Sequence, residues 1–337
     1  MNTRRLLTLA TVLALLLPFG AAGAQTKPVI VTTGFPHYDW MRVVLGGRNS
    51  AFHLVLPGDS GADLHSFQPS AGDFIEILTA DLLVYNGGVS DVWLTKPVAE
   101  RDAAGLLSVN LMQALGEGVK CEETVEGMQV SGHEDHDHDA DDDHDQDSAA
   151  LLAGTCSALD EHIWLSLRNA QALVPVLAEA VAALDPAYAD TYRTNAQAYL
   201  VDLKELDAAY QAAADAATVD TLLLADRFPF LYMMYDYNIA YYAAFNGCST
   251  ESEASFETVA FLAQKTKELG LANVLIIEGA NEKLARTVID AAGGPNAEIL
   301  RLNAMQAVSL AQREEGATYL GLMRDNLTVL KQALGVQ

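Results

Sequence analysis

Residues 186–217 read PAYADTYRTNAQAYLVDLKELDAAYQAAADAA, with no glycine and with proline only at the first position. Alanine is the best helix former, and Asp185-Pro186 suits an N-cap followed by proline in the first turn. The stretch reads as one long helix, preceded by a second Ala- and Leu-rich helix over 166–183. On both sides, short apolar runs alternate with helical stretches. Before it, strands are expected at 28–33, 51–56 and 81–85, with a helix over 36–46. After it come strands at 221–224, 239–243, 273–277 and 298–300, with helices over 256–269, 282–291 and 313–334. Alternation of this kind argues parallel sheets. The fold class expected is therefore α/β: two α/β lobes with parallel-type sheets joined by a long rigid helix. Ligands of open α/β sheets bind at the carboxyl ends of strands, so a site is expected in the inter-lobe cleft. A rigid link suggests a cleft that closes little.

The expected organisation is a leader at 1–24, an N-terminal lobe at 28–165 with an acidic insertion at 116–158, a helical segment at 166–217, and a C-terminal lobe at 219–337. The leader has Arg4 and Arg5, an apolar run over 6–17 and small residues up to Ala24. That is the pattern of a secretory signal peptide cleaved near Ala24. No later segment is expected to span a membrane, so a periplasmic or secreted protein is expected, and a monomer. The formal net charge of −25 makes nucleic acid a poor partner and a divalent cation an attractive one.

Residues 133–147 read HEDHDHDADDDHDQD, with His133, His136, His138 and His144 among nine carboxylates. The run has no apolar side chain larger than alanine and cannot build a core. Neutral imidazole and carboxylate oxygens bind divalent metal, so the run reads as a metal reservoir without fixed geometry. Cys121 and Cys156 flank it, and an oxidising compartment would let them pair. Cys248 is then left over, either as a metal ligand or as a buried small apolar group.

His65 lies in Asp63-Leu64-His65-Ser66-Phe67-Gln68-Pro69, a loop after the second strand, and should face the cleft. His162 lies in Asp160-Glu161-His162-Ile163-Trp164-Leu165, just before a helix. His37 follows the first strand and also points to the rim. His53 falls within a strand, where packing or exposure explains it.

Together the two phrases resemble the N-lobe signatures of the zinc and manganese solute-binding proteins of ABC uptake systems. That family has a Pro-Gly-x-Asp-Pro-His-x-(Tyr/Phe)-x-Pro stretch, then Asp-Pro-His-x-Trp-Leu after an insertion. The zinc branch places a His/Asp-rich loop between them, as this chain does. The resemblance covers the mature chain and implies that His65 and His162 are metal ligands. It also implies a third ligand, His or Glu, at the position of Ala225, and an Asp at that of Asn303. Both positions depart from the pattern. Asp226 is the nearest replacement, and Glu251 or Glu253, after the strand at 239–243, could reach the same rim.

The function expected is capture of Zn²⁺, with Mn²⁺ as the alternative metal, and its delivery to an ABC permease in the inner membrane. Imidazoles must be neutral to bind, so uptake should weaken below about pH 6. One rival is a metal-dependent hydrolase, with Glu161, Glu251 or Glu278 as general base. Another is a metal buffer or chaperone with no permease.

Overall fold

The computed structural model describes residues 27–58, 63–129, 158–249, 253–294 and 297–336. The leader, residues 130–157 with all four loop histidines and Cys156, and Glu251 lie outside them.

The N-terminal lobe runs β1 (Val29–Thr32), α1 (Phe35–Leu45), β2 (His53–Val55), α2 (Ala71–Thr79), β3 (Leu82–Tyr85), α3 (Thr95–Ala103), β4 (Leu107–Asn110) and α4 (Leu111–Leu115). Two long helices follow, α5 (Leu167–Leu184) and α6 (Ala189–Asp215). The C-terminal lobe runs β5 (Thr221–Phe228), α7 (Leu231–Tyr237), β6 (Ala240–Asn246), α8 (Phe256–Glu268), β7 (Asn273–Ile277), α9 (Lys283–Ala292), β8 (Glu298–Leu302), α10 (Leu310–Glu314) and α11 (Tyr319–Ala333). Each lobe holds a four-stranded parallel sheet, ordered β2-β1-β3-β4 and β6-β5-β7-β8. The two sheets share one topology, and in each the order reverses beside its first strand.

The central strands are apolar on both faces because both faces are covered. Ile30, Leu82, Leu224 and Leu275 point into one continuous core that also holds Leu173 and Leu177 of α5 and Leu203 and Tyr210 of α6. Their neighbours turn the other way. Val31 and Leu83 pack under α2, and Leu223 and Ile276 pack under α8 and α9. Buried parallel strands read as unbroken apolar runs for this reason. Because the central core takes residues from both sheets and both long helices, the lobes are fused rather than hinged.

The structure departs from the sequence expectation in several places. β4 escapes the apolar pattern because Leu107 is exposed and Ser108 interrupts it at the sheet edge. β5 continues past Leu224 to Phe228, through an irregularity between Leu224 and Arg227. The long helix starts at Ala189 after a 3-10 turn over Pro186–Tyr188. The last helix is two helices, because Gly316 adopts φ +99° and Thr318 caps the second. Residues 116–129, assigned to the insertion, belong to the fold: Val119 and Met128 are in the core, and Gln129 N–H donates to Ala244 O at 2.9 Å. Finally, α5 is long and apolar enough to cross a membrane by length and composition alone. Here Leu173, Val174, Leu177 and Val181 are buried against the rest of the chain, so its apolar face is accounted for by packing. Cys121 is disulfide-bonded, and Cys248 is a free thiol.

His37 is buried in α1 between Trp40 and Trp164, away from the cleft rim expected for it. Neither ring nitrogen has a hydrogen-bond partner among the described residues. Burial drives its pKa down to about 3. The folded chain therefore refuses a proton that the unfolded chain accepts below the usual histidine value of about 6.5. As pH falls from there toward 3, this one residue costs up to about 1.4 kcal/mol of stability per pH unit. His37→Phe should remove that slope. Urea unfolding of both proteins at pH 7 and pH 5 checks it, and an identical loss in parent and variant would contradict the assignment.

Candidate metal centre

The carboxyl ends of the two sheets meet, and the loops that leave them build the site. His65 sits on a 3-10 turn (Leu64–Ser66) in the loop after β2. Asp63 caps this turn by accepting the His65 N–H at 3.0 Å. His162 precedes the 3-10 turn Ile163–Leu165 that leads into α5, and its N–H donates to Asp160 Oδ1 at 2.8 Å. Bonds across the lobes hold this segment. Trp164 Nε1–H donates to Ala304 O at 2.8 Å, and the Tyr319 hydroxyl donates to Trp164 O at 2.8 Å. At the mouth, Arg227 of β5 donates to Asp63 at 2.7 Å.

The two imidazoles face each other with their Nε2 atoms 3.3 Å apart. Each has a carboxylate at its far nitrogen: His162 Nδ1 lies 3.1 Å from Asp160 Oδ1, and His65 Nδ1 lies 3.2 Å from Glu161 Oε1. A proton on each Nδ1, donated to Asp160 by His162 and by His65 to Ser90 Oγ at 2.9 Å and the Glu161 carboxylate behind it, leaves both Nε2 lone pairs convergent. Carboxylates behind metal-binding histidines fix the tautomer and ring orientation in this way. Two nitrogens at about 2.0–2.1 Å from one tetrahedral ion stand roughly 3.3 Å apart, the separation seen here. The Gln306 amide nitrogen lies 2.9 Å from His65 Nε2 and 2.8 Å from His162 Nε2. A positively polarised N–H group thus occupies the point where the lone pairs meet.

Glu161 is fully buried. It also accepts from Ser90 N–H at 2.9 Å and from Ser90 Oγ–H at 2.6 Å. Burial would raise its pKa, but the His65 hydrogen bond, the charge of His162 and Ser90 outweigh it and hold the carboxyl at about 2. Burial would likewise lower His162, and Asp160 with Glu161 reverses this and raises it. Cys248 Sγ stands 3.7 Å from Glu161 Oε1. Its thiol is pushed well up by burial and by the carboxylates of Glu161, Glu122 and Asp160. Donor atoms of His65, Glu161, His162 and Cys248 all lie within 4.8 Å of one another. The group can hold a cation. It pairs two imidazoles with two acidic groups, with His162 and Glu161 buried and His65 and Cys248 half-buried.

The model of the family described as zinc-uptake complex component A, periplasmic (ZnuA), matches residues 30–333. The chain belongs to this family. A relative is the zinc-binding protein AdcA of Streptococcus pyogenes serotype M1, 28% identical over 314 residues that span 91% of this chain and 56% of that protein. The chain thus spans little more than half the length of that relative. The high-affinity zinc uptake system protein ZnuA of Bacillus subtilis strain 168 is 28% identical over 312 residues, 91% of this chain and 88% of its own length. Among solved structures, Zn(II)-bound AdcA from Streptococcus pneumoniae superposes with a TM-score of 0.69 at 25% identity, covering 91% of this chain and 58% of that one.

Within this ZnuA-family chain, the structure brings His65 and His162 together and, among the described residues, leaves Asp226 and Glu253 apart from them. Asp226 lines the cleft but faces away from the imidazoles. One oxygen accepts from Arg227 N–H at 2.8 Å and the other from Ile277 N–H at 3.2 Å, tying β5 to β7. Burial raises its pKa against these bonds. Its position inside β5, rather than at the strand end, explains the orientation. Glu253 is exposed and lies 3.7 Å from Lys283. Asn303 Oδ1 accepts from Met305 N–H at 2.8 Å and supports the turn where Met305 adopts φ +58°. Glu278 accepts from Ala304 N–H and Gln306 N–H, and burial pushes it up to about 7. His53 is exposed on the edge strand β2. Glu161, read from sequence only as a hydrolase base, is the residue that reasoning missed. It stands where the family signature has proline, and that exchange is the signal that could have found it.

Proposed function

We propose that the chain captures Zn²⁺ outside the cytoplasm and releases it to the permease of an ABC importer in the inner membrane. The observation that carries the reading is the pair of convergent Nε2 atoms 3.3 Å apart, each imidazole backed by a carboxylate. In this reading His65 and His162 bind the cargo ion, Glu161 and Asp160 orient them, and Gln306 swings aside when the ion arrives. Zinc suits the imidazole pair, and manganese is the weaker competitor. The chain acts as a periplasmic or secreted monomer after its leader is cleaved near Ala24. The role is capture and release without turnover. Chelator-competition titration tests the reading: one ion held far more tightly than the rest supports it, and uniformly weak binding defeats it.

His133, His136, His138 and His144 supply the proposed reservoir. Ordering a loop residue costs roughly 1–2 kcal/mol, so ligands on such a run bind weakly. Deleting residues 133–147 should lower the zinc stoichiometry and leave the tight site in place. Calorimetry reads both quantities. An unchanged stoichiometry contradicts the reservoir, and loss of the tight site would move the main ligands into the loop.

A further inference from the structure

We infer that the Cys248 thiolate is the C-terminal lobe's donor to the cargo ion, so that the site prefers thiophilic dications such as Zn²⁺ and Cd²⁺ over Mn²⁺. The inference rests on the proposed capture of a metal between His65 and His162 and names the ligand that completes it. Two imidazoles from one lobe cannot hold a zinc ion tightly, because such sites take three or four protein ligands. No histidine follows His162 in the sequence. The described carboxylates considered for the C-terminal lobe are engaged or distant: Asp226 and Glu278 accept backbone N–H groups, and Glu253 is exposed.

Cys248 is placed where they are not. It follows β6 at the carboxyl end of the sheet, and its sulfur is 3.7 Å from Glu161 Oε1 inside the group formed with His65 and His162. Gly247 makes the approach possible. A Cβ there would stand 2.8 Å from His162 Cε1 and 2.9 Å from Phe228 O, so any other residue would push this turn away from the imidazole. Cys248 is a free thiol, while Cys121 is disulfide-bonded. Charge fits as well. A thiolate adds an anionic donor beside the Glu161 carboxylate, and a dication offsets the repulsion between the two. On binding, the S–H bond gives its proton to solvent as the S–metal bond forms, and no electron changes hands. Thiolate is a soft ligand that favours zinc over the oxygen-seeking manganese.

X-ray absorption of the whole protein with one equivalent of Zn²⁺ tests this directly. It should show a sulfur at about 2.3 Å beside nitrogen or oxygen at about 2.0–2.1 Å. Cys248→Ser should weaken Zn²⁺ by about tenfold or more in chelator competition and weaken Mn²⁺ less. A nitrogen and oxygen shell alone, in a parent that binds zinc tightly, overturns the thiolate and leaves zinc capture standing. Equal losses for both metals in Cys248→Ser overturn the selectivity. A parent that binds no zinc tightly defeats the capture reading, and the thiolate with it.

Discussion

His65→Ala combined with His162→Ala should lower zinc affinity roughly 10,000-fold, on the basis of about 100-fold for each residue, the upper end of what even a supporting group contributes. The two side chains supply the only pair of imidazole nitrogens that converge among the described residues. Each comes from a loop rather than from a strand or helix interior, so the fold should survive. His65→Ala is the milder change, because its turn is capped through the backbone by Asp63. His162→Ala leaves a cavity beside Trp164 and removes a partner from Asp160, so some stability is lost. Chelator competition and circular dichroism on the single and double variants read the two effects separately. Tight zinc binding that persists in the double variant, with residues 133–147 also removed, would place the site elsewhere.

Glu161→Gln should cost about 100-fold in zinc affinity with little change in shape. The carboxylate orients His65 with a charged acceptor and gives the site a buried negative charge; an amide weakens the first and removes the second. Gly88→Ala attacks the same residue by volume. A Cβ on Gly88 would overlap Glu161 Oε2 and Cβ, and the carboxylate has no solvent to move into. Overpacking of this kind costs about 1–3 kcal/mol of stability. Affinity should fall with it, because Glu161 can make room only by leaving His65. Titrations and melting curves for both variants check the pair. Normal zinc binding by Glu161→Gln would mean that His65 needs no anionic partner.

The architecture was legible because its signals are local. Apolar runs of four to eight residues, the long alanine-rich helix and its Asp-Pro start each follow from a short stretch of sequence. β4 and the break at Gly316 were missed where a local signal was weak: an exposed leucine in an edge strand, a glycine between two helical patterns. His65 and His162 were legible through their motifs. The distant contacts around them were not, although Cys248 was already one option for a ligand. Cys248 reaches Glu161 across 87 positions of chain and Gln306 reaches His162 across 144, and no local pattern encodes such contacts. Asp226 was expected at a strand end because its run of leucines stops at Leu224. The strand continues through an irregularity instead, and that turned the carboxylate toward Ile277.

A core that runs through both lobes couples their stabilities. An ion held where the sheets meet therefore protects the whole chain, by about 2.7 kcal/mol at a free concentration 100 times its Kd and about 4.1 kcal/mol at 1,000 times. Surrender of the cargo withdraws that protection everywhere at once. The empty chain is then the form that opens more often, and degradation by proteases tracks the open population. Under the proposed capture of zinc, lifetime in the cell becomes tied to loading: loaded chains persist, and empty ones are cleared first.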